Sequence, residues 1–145
     1  MTGHPMEILL VEDNPADVRL TREAIVELRQ QNRLSVVHDG DEALRFLRRE
    51  GAFDRAPRPD IIILDLNLPK KDGRELLADI KGDRDLRQLP VVVLTTSRAE
   101  EDILHAYELH ANCYVIKPTS LEDFRRAIQT INTFFGEIVT LPGRS

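Results

Sequence analysis

The sequence predicts an α/β fold, with a parallel five-stranded sheet held between two layers of helices. Three observations predict it. Short apolar runs rich in β-branched residues alternate with segments whose apolar residues recur at helical spacing. The runs are continuously apolar instead of alternating, as strands buried on both faces are. Acidic and polar residues stand directly after the runs, where open α/β sheets bind ligands.

Taken in order, residues 7–11 (EILLV) form a first strand that stops at an acidic, proline-containing turn. Residues 16–28 place Val18, Ile25 and Leu28 on one helical face, with Leu20 and Ala24 beside them. A short strand at 34–37 precedes the turn at Asp39-Gly40, and residues 41–49 carry Ala43, Leu44 and Leu47 on one side of a helix. The segment 51–59 (GAFDRAPRP) reads as a proline-rich connection into a third strand at 60–64. After the loop 65–72, a helix at 73–82 is built on Leu76, Leu77 and Ile80. A strand at 91–94 opens after Pro90, a helix follows at 100–110, and a short strand at 114–116 stops at Lys117-Pro118. The last helix spans 120–135, with Ser120 as its N-cap. Right-handed crossovers leave few topologies for such a chain. The flavodoxin-like (βα)5 three-layer sandwich, with sheet order 2-1-3-4-5, is expected.

The 145 residues suit one domain, expected over 1–136, with a C-terminal tail at 137–145. Hydrophobic residues at 41% supply a core, and a net charge of −5 argues against bulk electrostatic binding to nucleic acid or anionic membrane. A single cysteine, Cys113, excludes an internal disulfide and a cysteine zinc cluster. No signal peptide or membrane-length apolar run is evident, so a cytoplasmic location is the expectation. The four histidines, His4, His38, His105 and His110, show no ligand spacing.

The chemistry collects at the strand ends. Glu12 and Asp13 follow the first strand, Asp65 and then Asn67 the third, Thr95, Thr96 and Ser97 the fourth, and Lys117 the fifth. In the expected order these groups converge. Three crowded carboxylates either protonate or take up a cation. Glu12, Asp13 and Asp65 sum to −3, and one divalent ion plus Lys117 to +3. An oxygen-only set points to Mg²⁺ or Mn²⁺. Asp13, Asp65 and the backbone carbonyl of Asn67 suit Mg²⁺, with Glu12 acting through water. Mg²⁺, a lysine and a threonine hydroxyl are parts used for phosphoryl transfer, and a carboxylate can be its nucleophile. Asp65 is central and is the candidate nucleophile, with Lys117 and Thr95 facing the phosphoryl oxygens.

The blocks VEDN (11–14), ILDLNLPKKDG (63–73), PVVVLTTS (90–97) and YVIKP (114–118) resemble the response-regulator receiver domain, in order and spacing. The resemblance implies that Asp65 accepts a phosphoryl group from a sensor histidine kinase. It also implies that Glu12 and Asp13 hold Mg²⁺, that Thr95 and Lys117 contact the phosphate, and that the bond before Pro118 is cis. Tyr114 stands where the family carries a rotating aromatic, so Thr95 and Tyr114 are the implied switch pair. The stretches LNLPKKDGRELLADIK and ANCY, with the ending EIVTLP, are similar to single-domain regulators that pair with bacterial phytochromes. They imply a phytochrome-type kinase as partner and a homodimer. Thr96 departs from the Ala or Gly common there, and Thr119 from a frequent Phe.

Three further readings bear on function. An aspartate-nucleophile phosphohydrolase wants a second Asp two residues after the nucleophile, where Asn67 stands. A flavin carrier is disfavoured by the acidic pocket and the absence of Trp. A receiver-like binding module independent of phosphorylation has no need of the intact set of Asp13, Asp65, Thr95 and Lys117. At the C-terminus, Leu121, Phe124, Ile128, Ile131 and Phe135 account for the core face of the last helix. Phe134, Ile138, Val139 and Leu141 remain, either as a dimer contact or as residues that pack back on the domain.

Overall fold

The structure is a computed structural model, described here for residues 5–28 and 31–141. His4 and the last four residues of the expected tail lie outside the described residues. Among the described residues, strands and helices alternate as β1 (Met6–Val11), α1 (Pro15–Val26), β2 (Asn32–Val37), α2 (Gly40–Arg48), β3 (Ile61–Leu64), α3 (Gly73–Gly82), β4 (Val91–Thr95), α4 (Glu100–Glu108), β5 (Cys113–Ile116) and α5 (Leu121–Thr133). A 3-10 turn at Gly51–Phe53 and a π-helical turn at Phe134–Ile138 complete them.

The sheet is parallel and its order is β2-β1-β3-β4-β5, as expected. The order explains the burial of each strand. β3 and β4 have strands on both sides and helices on both faces, and every residue in them is buried. β2 and β5 are edges, and their residues are mostly half-buried.

Because side chains alternate along a strand, each strand feeds two cores. Leu9, Val11, Ile62, Leu64, Val91 and Val93 face α2, α3 and α4, where Leu44, Leu76, Leu77 and Ile80 meet them. Ile8, Leu10, Ile61, Ile63, Val92 and Leu94 face α1 and α5, where Ile25, Phe124, Ile128 and Ile131 meet them. Full burial of one such side chain stabilises by about 1.5–3 kcal/mol.

Local chemistry starts the helices. The Asn14 side chain accepts from the Ala16 and Asp17 amides at 2.9 and 3.2 Å, and Pro15 takes the first helical position. Asp39 caps α2 through the Glu42 amide at 2.8 Å, and Ser120 caps α5 through the Asp123 amide at 3.0 Å. Asp72 and Glu75 form a reciprocal capping box at α3. These caps aim helix N-termini at the same sheet end as the acidic residues.

The C-terminal candidates divide. Leu141 is buried in the core beneath α1 and α5, and Val139 packs against it. For Leu141 the dimer expectation is corrected, because its side chain is taken up by the core; Val139 is only partly buried and remains a candidate. Phe134 and Ile138 stay exposed, at 45% and 68%. The π-helical turn crosses the expected boundary at residue 136, so the described tail continues the domain.

Candidate functional site

The site lies where the chain reverses direction across the sheet, between β1 and β3. The Asp65 amide donates to the Val11 carbonyl at 3.1 Å and extends the ladder by one residue beyond β3. The Glu12 amide donates to the Val37 carbonyl at 3.0 Å on the other side. These bonds bring the two acids together at the strand tips. Glu12 and Asp65 are buried, and Asp13 is exposed. One carboxylate oxygen from each of Glu12, Asp13 and Asp65 lies within 4.8 Å of the others.

Lys117 closes the site from β5. Its amide donates to the Thr95 carbonyl at 2.7 Å, which ties the end of β5 to the end of β4. Its ammonium lies 2.7 Å from Glu12 Oε1, 2.8 Å from Asp17 Oδ2 and 3.2 Å from Asp65 Oδ2. Burial opposes the Lys117 charge, but the hydrogen bonds to Asp17 and Glu12 outweigh it and raise the pKa. One ammonium among several acids leaves an excess of negative charge. Burial pushes the Glu12 carboxyl up to about 7, against the pull of Lys117. A pocket of oxygen donors with surplus negative charge fits a hard divalent cation.

The loop after Asp65 is shaped by glycine. The Gly73 amide donates to the Leu66 carbonyl at 3.0 Å, and a Cβ at Gly73 would fall against the Asp65 carbonyl oxygen and 2.6 Å from Leu66 Cα. Only a residue without a side chain lets α3 start this close to residue 65. The Asn67 amide donates to Asp65 Oδ1 at 3.2 Å, so Asp65 is held from both oxygens. Asn67 itself is exposed.

The remaining expected residues surround this centre. Thr95 is fully buried at the end of β4, and its hydroxyl accepts weakly from the Ser97 amide at 3.5 Å. Thr96 is exposed. Tyr114 is half-buried on the edge strand, and its hydroxyl donates to the Ser97 carbonyl at 3.0 Å. The bond before Pro118 is trans: no described peptide bond is cis. That corrects the expectation, and trans is the form a prolyl amide prefers by about 0.5–1 kcal/mol. Lys71 pairs with Asp79 at 2.6 Å and Lys70 with Asp39 at 3.7 Å.

Two features were missed from the sequence. Asp17, in the first turn of α1, reaches Lys117. Its signal was a carboxylate at a helix N-terminus that must face the strand ends. The second is a network on the far side of Thr95. Arg74 donates to both oxygens of Asp102, and the Ser97 hydroxyl donates to Asp102 at 2.6 Å.

The comparisons with known proteins agree with this geometry. The family model described as the response regulator receiver domain matches residues 8–129. Response regulator Rcp1 of a Synechocystis species is 50% identical over 138 residues, covering 95% of this chain and 94% of that protein. The crystal structure of the phosphorylated cyanobacterial phytochrome response regulator RcpA superposes with a TM-score of 0.94 at 48% identity, covering 97% of this chain and all of that one. The Mn²⁺-bound form of Rcp1 superposes with a TM-score of 0.92 at 50% identity, covering 96% and 100%. A relative bound to Mn²⁺ suits the acidic trio seen here. No described helix is long and apolar enough to cross a membrane. With a family match across most of its length and a half-identical relative among phytochrome regulators, this chain belongs to the response-regulator receiver family.

Proposed function

We propose that this protein is a stand-alone response regulator in the cytoplasm that accepts a phosphoryl group on Asp65 from a phytochrome-type sensor histidine kinase. One observation carries the proposal: the Lys117 ammonium and the Glu12, Asp13 and Asp65 carboxylates meet in a single cluster. The half-identical regulators described above support the choice of kinase.

Glu12, Asp13, Asp65 and the backbone carbonyl of Asn67 are the groups to hold Mg²⁺, or Mn²⁺ in its place. When bound, the ion neutralises the acids and the charge that develops on the phosphoryl oxygens. The chain does the rest. An Asp65 carboxylate oxygen forms a bond to phosphorus as the phosphorus–nitrogen bond of a phosphohistidine breaks. The electron pair goes to the imidazole nitrogen. The Asn67 amide and Lys117 hold Asp65 in place. Lys117, fixed to β4 through its backbone, supplies positive charge to the new phosphoryl group. The Thr95 hydroxyl moves toward that group, and Tyr114 exchanges its bond to Ser97 for an inward position. The protein acts as a signalling acceptor and not as an enzyme of free substrates, and its output runs through protein contacts without nucleic acid. Phe134 and Ile138 supply the exposed apolar surface for a homodimer.

The test is transfer from a labelled phytochrome-type kinase in Mg²⁺. Label moves to this chain and fails to move to Asp13→Asn or in excess chelator. Retention of all label on the kinase, or transfer unaffected by chelator, contradicts the proposal.

A further inference from the structure

Lys117 makes one ion pair that the phosphoryl-acceptor reading does not require. An ammonium has three N–H donors, and three carboxylates engage them here. The contacts to Glu12 and Asp17, at 2.7 and 2.8 Å, are shorter than the 3.2 Å contact to Asp65. Lys117 is thus drawn from the acceptor toward two other acids. Asp17 stands outside the trio that fits a cation. It is held on a rigid element: its amide donates to Asn14 Oδ1 at 3.2 Å, and its carbonyl accepts from the Thr21 hydroxyl at 2.8 Å.

We infer that Asp17 is a positioning residue, competing with the phosphoryl group for Lys117 and so slowing phosphoryl transfer to Asp65. The inference rests on the reading of Asp65 as the acceptor. With an acyl phosphate donor, the Asp65 oxygen bonds to phosphorus as the bond from phosphorus to the acyl oxygen breaks. The electron pair leaves with the carboxylate product. Lys117 must then turn an N–H to the new phosphoryl oxygens, and one of its existing contacts must yield. Glu12 is buried within the acidic trio. Asp17 is about one-fifth exposed, at 21%, so water can replace its lost bond and it is the contact to open.

A second effect has the same sign. The Asp17 carboxylate repels an incoming anionic phosphodonor. Its effect on a cation is the reverse. Asp17 adds negative charge beside the trio and draws Lys117 from Asp65, which leaves that acid freer to bind metal. A purely structural ion pair has no such signature, because losing it loosens the site for metal and phosphoryl alike.

The experiment measures two quantities in the parent protein, Asp17→Asn and Asp17→Glu. Calorimetry with Mn²⁺ alone gives the metal affinity. Intact mass over time, with acetyl phosphate in saturating Mg²⁺, gives the rate of phosphoryl gain. Asp17→Asn is expected to bind Mn²⁺ about threefold more weakly and to gain the phosphoryl group about threefold faster, with Asp17→Glu close to the parent. If the parent gains the group and Asp17→Asn changes neither quantity, or lowers both, the inference is overturned and the Asp65 reading stands. If the parent gains nothing, the Asp65 reading falls and takes the inference with it.

Discussion

Arg74, at the start of α3, grips Asp102, at the start of α4, through two hydrogen bonds of 2.8 Å, one from Nε and one from Nη2. The paired guanidinium bond, followed by that of Ser97, holds the Asp102 carboxyl down at about 2. The Ser97 hydroxyl on the same carboxylate and the Tyr114 hydroxyl on the Ser97 carbonyl extend the grip to the loop after Thr95 and to the edge strand. Two-pronged charged contacts are the stronger kind, though partial exposure reduces their value. Asp102→Ala is expected to destabilise the protein by about 1 kcal/mol and to speed amide hydrogen exchange at residues 96–99. Since the Asp102 pKa is depressed, its contribution is complete above the ordinary carboxylate range and is lost as pH falls toward about 2. Unchanged exchange in the loop would show that the clamp does not restrain it.

Glu12 predicts a pH dependence of the opposite sense. Burial raises its pKa from 4.5 to about 7 in the folded protein. Between those values the folded state keeps a proton that the unfolded chain gives up. This contribution to stability is therefore whole below the lower value and is lost as pH rises through about 7. Without metal, the melting temperature should fall across that window, and Glu12→Gln should flatten the fall. Saturating Mg²⁺ should also flatten it, because a bound cation keeps the carboxylate ionised. Equal slopes for the parent and Glu12→Gln in chelator would contradict this.

Gly73 is the residue whose substitution should do most harm near the site without removing a functional group. A methyl there meets the Asp65 carbonyl and the Leu66 backbone, a stretch tied down by the Asp65 amide on the Val11 carbonyl and the Gly73 amide on the Leu66 carbonyl. Gly73→Ala is expected to cost about 1–3 kcal/mol and to weaken Mg²⁺ binding by shifting the loop. Gly82, with open space around it, is the control: Gly82→Ala should be neutral or stabilising. Equal melting temperatures for both variants would refute the steric argument.

The divided C-terminus separates stability from assembly. Leu141→Ala should lower stability by about 2 kcal/mol, because it opens a hole beneath α1 and α5. The pair Phe134→Ser with Ile138→Ser should leave stability within about 0.5 kcal/mol and convert the proposed homodimer to monomer by light scattering. A dimer that survives the double substitution moves the interface elsewhere.

The parts legible in the sequence are those where local and global preferences coincide. β3 and β4 read correctly because two helical layers demand continuous β-branched runs there. The bounds of α3 are as expected, since Asp72 caps its start and Gly82 ends it. Strand starts were harder. β1 and β2 begin earlier than expected because Met6 pairs with Asn32, a matter of register between strands and not of local composition. α1 and α4 end two residues early, at Val26 and Glu108. At the site, residues after strands were found because the sheet itself collects them. Asp17 and Asp102 were not, because helices deliver them. Their partners, Lys117 and Arg74, lie 100 and 28 residues away.

The proposed function stands or falls on Asp65 acting as a nucleophile toward phosphorus. Intact mass after incubation with acetyl phosphate and Mg²⁺ tests it most directly. The parent protein should gain one phosphoryl group that hydroxylamine removes, as it removes an acyl phosphate, and Asp65→Asn should gain none. A gain that persists in Asp65→Asn, or that resists hydroxylamine, would contradict it.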